Sequence, residues 1–361
     1  MYHFHIYLYE GFSLSGEVPD ERNPRHLLRA PRADDVLSAV AAAGPDGLGT
    51  EDTRRRFGGC VDALLLAGAL SERRGRLRFG CPVFLPEDVP ELRRLSSAAA
   101  EEIASALLTR ADELRAAVSG RFPGIDVKTA LYHLLCCDVM DGTFIDALEG
   151  RGLVSSGAMR PCGFEYIPVL YAWCEELDAL SRRLLCSRQS CGGEAGEFVS
   201  FGDSDGVRRD FAAAHRSGEL AAADCGALAR EFASLCRGDG ADRESMELFE
   251  RFGYAKNGRA DVPVFEPSAR HAAVAELTET VLDSALPAAE NALRALSGAE
   301  LTANRHGADA AETANELFHL IFGAVNGLLC GSGLAASPEY TPGEGRYLRA
   351  FCPADEKGEN T

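Results

Sequence analysis

The sequence predicts a mostly α fold with small β-hairpins, arranged as two copies of one unit that carry long helical extensions. Three observations predict it. Short blocks recur in order at offsets of 179 to 186 residues: CPVFLP (81–86) returns as VPVFEP (262–267), IASAL (103–107) as LDSAL (282–286), and LYHLL (131–135) as LFHLI (317–321). Leu153, Pro161 and Tyr166 likewise return as Leu334, Pro342 and Tyr347, each 181 positions later. Repeats come first because a missed one mis-assigns the whole fold. Long runs between these blocks place apolar residues at helical spacing, and extended runs are short and bounded by turn residues.

The opening HFHIYLYEG alternates with period two and reads as a strand in an N-terminal segment, 1–33, that lies outside the repeat. The first unit, 34–171, starts with ADDVLSAVAAAG, an acidic start followed by helical spacing and closed by Gly44-Pro45. Thr50, followed by two acids, opens a second short helix, and CVDALLLAGALSERR supplies a third with Gly68 near its end. ALSERRGRLRFGCPVF then reads as a hairpin about Arg74-Gly75. A long helical stretch follows in each unit, 88–118 and 269–296, the latter with a kink expected at Pro287. The second unit is 205–352. The intervening 172–204 reads as a linker region around SRQSCGGEAGE (187–197), and 353–361 as a disordered tail.

Three helices followed by a two-stranded hairpin resemble the winged helix-turn-helix domains of bacterial regulators. The resemblance rests on DALLLAGALSERRGRLRF (62–79) and covers about 50 residues per copy. In the second copy ESMELFERFGYAKNGRADVPVF is similar but has a shorter wing. The resemblance implies a module whose second helix and wing approach a phosphate backbone. Two copies in one chain then imply a pseudo-two-fold version of a homodimer.

The chain has 361 residues, enough for two domains, and its 46% apolar and 25% charged composition is that of a globular protein. No signal peptide and no membrane-spanning run are read, so a cytoplasmic protein with no membrane partner is expected. The twelve cysteines are scattered and read as reduced thiols. There is no CxxC, and Cys186 and Cys191 have no second pair, so no metal site is predicted. No phosphate loop and no GxGxxG stands in a suitable context, and no cofactor is expected. FGDSDGVRRDF lacks the closing Glu of a calcium loop and reads as a helix start capped by Asp203 or Asp205. His133 and His319 hold equivalent places in the copies, either as a ligand pair or pH switch, or as histidines bonded within their own helical cores. Cys136 and Cys137, one turn after His133, are a nucleophile only if activated; buried thiols are inert.

The strongest candidate surface is basic. Arg54, Arg55, Arg56, Arg73, Arg74, Arg76 and Arg78 face only Asp62 and Glu72 within 54–78, in a chain of net charge −18. These seven are the expected nucleic-acid-binding residues, with a solvated or internally paired face as the plainer reading. The third helix has only Asp62 and Ser71 to read base edges, and the second copy shows Glu244, Glu247 and Glu250 there. The expected function is therefore non-enzymatic and regulatory: weak, non-specific DNA binding through the first copy. The alternatives are a protein-interaction scaffold that reuses winged-helix units, or an enzyme with no readable motif.

Overall fold

The structure is a computed structural model that describes residues 1–8, 21–203, 206 and 208–354. Asp205 and the tail from 355 onward lie outside the described residues. Helix accounts for 55% and strand for 18%, with several small antiparallel sheets, so the class is mixed α/β rather than mostly α.

Strand β1 (Tyr2–Leu8) is followed by helices α1 (Pro24–Leu27) and α2 (Ala33–Ala43). α2 has Asp34 and Asp35 in its first turn, where carboxylates favour the positive helix end, and buries Val36, Leu37 and Val40 on one face. Next come β2 (Leu48–Gly49), α3 (Thr50–Phe57), α4 (Gly59–Leu66), β3 (Leu70–Arg73), β4 (Arg76–Phe79) and β5 (Val83–Phe84). Strands β2, β4 and β3 form one sheet in that order. Arg74 (φ 54°) and Gly75 (φ 71°) supply the two positive φ angles that a two-residue type I′ hairpin needs.

The stretch expected as one helix over 88–118 is two, α5 (Val89–Thr109) and α6 (Ala111–Val118), parted at Arg110. α7 (Val127–Leu131), capped by the Asp126 carboxylate, runs into a π-helix over Tyr132–Thr143, bonded i→i+5, and then α8 (Phe144–Glu149). After β6 (Ala158–Met159), β7 (Glu165–Ala172) and α9 (Glu175–Arg182) comes the hairpin β8 (Leu185–Gly193) and β9 (Gly196–Asp203). The region expected as a linker is thus ordered structure, and Phe198 and Phe201 on β9 are fully buried.

Helices α10 (Phe211–Ser217), α11 (Ala222–Arg237) and α12 (Arg243–Arg251) precede a short hairpin, β10 (Ala255–Lys256) and β11 (Arg259–Ala260). The cap of α10 is Asp210, whereas Asp203 ends β9 and binds Arg346. Asn257 (φ 52°) and Gly258 (φ 74°) repeat the turn geometry of Arg74-Gly75. The chain closes with α13 (Pro267–Ala295), which continues through Pro287, then α14 (Thr302–His306), α15 (Ala310–Gly331), β12 (Tyr340–Thr341) and β13 (Gly345–Pro353).

Two compact units divide the chain, and neither is continuous. The first comprises Met1–Ala99, Asp146–Ser181 and Pro287–Ile321; the second comprises Ala100–Ile145, Arg182–Leu286 and Phe322–Thr361. The stretches 34–171 and 205–352 each contribute to both. In the first unit β7 pairs antiparallel with β1 and β6 and parallel with β5, where Val83 meets Leu170. Its core joins Val36, Leu37 and Val40 of α2 to Val61 and Leu64 of α4 and to Leu77 and Phe79 of β4. In the second unit the sheet order is β12, β13, β9, β8, and Val264 bridges Phe351 in parallel. Its core is a group of rings around Phe198.

One cysteine expectation is overturned. Cys191 on β8 and Cys225 on α11 form a disulfide, while the other ten cysteines are in no disulfide. Sequence spacing gave no sign of it, because the pairing depends on α11 lying against β8. There Gly193 and Gly226 bring the two backbones together; a Cβ on Gly193 would stand 2.8 Å from the Gly226 Cα. Among the described residues no helix is long and apolar enough to cross a membrane.

Candidate nucleic-acid interface

The basic surface is built on α3, α4 and the β3–β4 hairpin of the first unit. α3 carries Glu51 and Asp52 in its first turn and Arg54, Arg55 and Arg56 in its last, the distribution that its dipole favours. Thr53 and Phe57 point to the core, so the three arginines project outward. Gly58 at φ 61° ends the helix and starts α4. In the hairpin, Leu77 and Phe79 are buried, and Arg73, Arg74 and Arg76 are exposed.

The seven arginines do not form one free cluster. Arg54 donates to Asp62 on α4 at 2.9 Å and lies 3.6 Å from Glu72, and Arg55 is paired with Asp52. Arg56 lies over the Phe57 ring. Arg76 donates to the carbonyls of Asp46 and Gly47 at 2.7 and 2.6 Å, which fastens the hairpin to the turn before β2. Arg78 is half-buried with no hydrogen-bond partner for its Nε, and its charge helps burial and Arg305 to lower the pKa of buried His306. Arg73 and Arg74, at the hairpin tip, have no acidic partner among the described residues.

One residue absent from the sequence-level set joins this surface. Arg32 donates to the Arg56 carbonyl at 3.0 Å, pairs with Asp35, and, like Arg56, lies over the Phe57 ring. Only its φ of 69° and the packing of α2 place it there, so sequence distance concealed it. On α4 the exposed polar side chain is Asp62, whereas Ala63, Leu65 and Leu66 are half-buried and apolar. That helix presents no donor suited to base edges.

The two histidines sit in different surroundings. His319 places Nδ1 2.8 Å from the Asn315 carbonyl and packs on the Tyr7 ring at 4.3 Å. Beside it, buried Glu316 accepts hydrogen bonds from the hydroxyls of Tyr7 and Tyr171, with His5 Nδ1 3.6 Å away. Burial pushes this carboxyl up, but His5, His319 and Tyr171 together hold it below the usual range, so it stays ionised. This buried polar group left no legible signal in the sequence. Cys137 is buried, which pushes its thiol well up, and Cys136 is also raised. Neither is activated by His133, whose two ring nitrogens have no hydrogen-bond partner.

His133 is 3% exposed, packs on Phe265, and lies near the two-pronged Arg270–Asp138 pair at 2.8 and 2.9 Å. Burial, with a smaller contribution from Arg270 and against the pull of Asp138, lowers its pKa from 6.5 to about 4. A folded pKa below the unfolded one means that the unfolded chain binds more protons between these values. Stability linked to His133 is therefore complete above pH 6.5 and is lost as pH falls toward 4, amounting to about 3 kcal/mol. Asp141 on the same π-helix, pushed up to about 7 chiefly by burial, has the opposite dependence. The measurement is consequently a difference: urea unfolding of wild type and His133→Phe at about pH 7.5 and about pH 4.5. The variant should lose less stability on acidification, and equal losses would refute the assignment.

Comparison with family models, with curated proteins and with solved structures finds no match. Among the described residues no group of three or more His, Cys, Asp or Glu is placed to hold a metal ion.

Proposed function

We propose that the chain is a non-enzymatic regulatory protein of winged-helix type, whose module from α2 to β4 touches the phosphate backbone of duplex DNA without reading its sequence. The observation that carries this reading is the hairpin tip. Arg73 and Arg74 extend there without an acidic partner among the described residues, on a hairpin that Arg76 fastens to the body of the module. Support also comes from the order α2, α3, α4 and then the β3–β4 hairpin, the three helices followed by a two-stranded hairpin on which the resemblance rests. Arg55 and Arg56 on α3 of the same module are exposed, while α4 offers nothing that distinguishes one base pair from another.

The same reading takes 34–171 and 205–352 as copies of one unit. Val83 with Leu170 and Val264 with Phe351 are both parallel pairs, and each partner is 181 positions from its counterpart. The hairpins turn alike at Arg74-Gly75 and Asn257-Gly258.

Fluorescence anisotropy with random duplex DNA over a salt series tests the proposal. Binding should be weak and equal across sequences, and Arg73→Ala/Arg74→Ala should reduce the slope of log affinity against log salt by about 2, from roughly 0.9 per phosphate contact. No binding at about 50 mM salt would overturn the DNA reading. It would favour the alternative, a protein contact through the same face, which the overall charge of −18 supports.

A further inference from the structure

The second unit holds a cleft of about 810 Å³ between the turn that joins α6 to α7 and the segment that leads from β11 into α13. Its lining is largely apolar, with Ile125 on one side and Val262, Pro263 and Val264 on the other, all half-buried. The second side is also an open strand edge. Val264 bridges Phe351 of β13 in parallel: the Phe351 N–H donates to the Pro263 carbonyl at 2.9 Å, and the Phe265 N–H donates to the Phe351 carbonyl at 3.0 Å. Backbone groups of successive residues in such a pair turn to opposite sides, so the N–H and C=O of Val264 itself turn away from β13. Among the described residues they have no hydrogen-bond partner. The rim of the cleft is anionic. Asp126, Asp261 and Glu266 are exposed there and form no ion pair among the described residues. Arg121, the one cation of the lining, is already held by Glu276 at 2.6 Å. Half-buried Cys236 also lines the cleft, its thiol pushed up to about 11 by burial and, to a smaller extent, by Glu266.

We propose that this cleft captures an extended, basic segment of a partner protein, which adds as a strand to the Val264 edge. An extended chain presents an N–H and a C=O on every second residue, the complement of the two groups that Val264 leaves open. Its side chains alternate between two sides, so apolar ones settle against Ile125 and Val262 while lysine or arginine side chains reach Asp261 and Glu266 at the rim. Charge selects the partner. An acidic segment meets three carboxylates and an arginine that Glu276 has already neutralised, whereas a basic one meets its complement. The cleft volume lies within the range of ordinary ligand sites. Pro263 takes no donor from the open edge, because the N–H it lacks belongs to the side that faces β13. The inference concerns the second unit alone and stands whether or not the first unit binds DNA.

The test is fluorescence anisotropy of the full chain with a labelled hexapeptide of alternating lysine and valine, at about 150 mM salt to screen general attraction to the net charge of −18. The peptide should bind, and a hexapeptide of alternating glutamate and valine should not. Asp261→Asn/Glu266→Gln changes two exposed side chains and should weaken binding about threefold to tenfold. Two further probes carry N-methyl groups, one on its valine amides and the other on its lysine amides. Only every second N–H of an extended strand can face the edge, so one of these should bind about tenfold more weakly than the other. Bound peptide should also slow alkylation of Cys236 by iodoacetamide and leave Cys174, in the first unit, unchanged. No binding of the lysine–valine peptide would overturn the proposal, as would equal affinities of the two methylated probes or binding that the double variant leaves unchanged. Spermine that binds as tightly and protects Cys236 equally would make the cleft an amine site and overturn the strand reading. Dimerisation of the chain that the peptide abolishes would place a second copy in the cleft, with the same consequence.

Discussion

Arg160→Ala is expected to destabilise the first unit by about 3–5 kcal/mol, because it strands a buried carboxylate. The Arg160 guanidinium lies 2.7 Å from Glu312, their side chains only 9% and 6% exposed, and its Nε donates to the Tyr166 carbonyl at 2.9 Å. The 2.7 Å approach brings the two charged groups into direct ion contact. Gly68, at φ 71°, leaves room for the Arg160 stem; a Cβ there would stand 2.8 Å from its Cδ. Burial already raises the Glu312 pKa and Arg160 pulls it back, so in the variant Glu312 takes up a proton more readily. A raised carboxyl pKa favours the folded state at low pH, so the loss should be larger near neutrality than in mild acid. Urea unfolding followed by the fluorescence of Trp173, the single tryptophan and part of this unit, measures it. Arg160→Ala/Glu312→Ala should recover part of the loss, since it removes the stranded charge. A single variant within about 1 kcal/mol of wild type would show that water reaches the pair.

Phe198→Ala should cost the second unit a similar amount, about 3–5 kcal/mol, for a different reason. Phe198 is fully buried at the centre of a ring cluster, with Phe211, Tyr254, Phe351 and Phe232 at centroid distances of 4.3, 4.9, 5.2 and 5.3 Å. Removing the central ring leaves a cavity that rigid aromatic neighbours fill poorly, so the lost transfer energy is joined by a cavity penalty. Hydrogen exchange of peptides from β8, β9 and α11, with Cys191–Cys225 intact, should show a loss of protection beginning at β9. Phe198→Leu should lose less, because it refills part of the volume. Unchanged protection in the alanine variant would mean that the cluster closes up without a void.

Local signals were legible wherever a short stretch decided its own conformation. The acidic start and glycine stop of α2, the outward arginines of α3, the alternation of β1 and the Arg74-Gly75 turn all depend on residues within a few positions of one another. The 187–197 stretch misled because its glycines and polar residues are those of a loop, while its place under α11 makes it a hairpin. The basic surface was half legible. Its residues were visible, but Arg76 turns back to backbone carbonyls, Arg78 lies half-buried near His306, and Arg32 arrives from a different helix.

By itself the sequence determined which turns are tight, which residues carry charge, and where the starts of short helices such as α2 and α3 fall, since those properties arise from backbone sterics, helix-end electrostatics and helical periodicity. Only the tertiary structure decided how those elements were used. It interleaved the chain into two discontinuous units, joined Cys191 to Cys225, and placed Glu312 and Glu316 in the core with their partners. The reason is physical: pairing a buried charge or a distant thiol depends on which surfaces meet across tens or hundreds of residues, and no local propensity encodes that meeting.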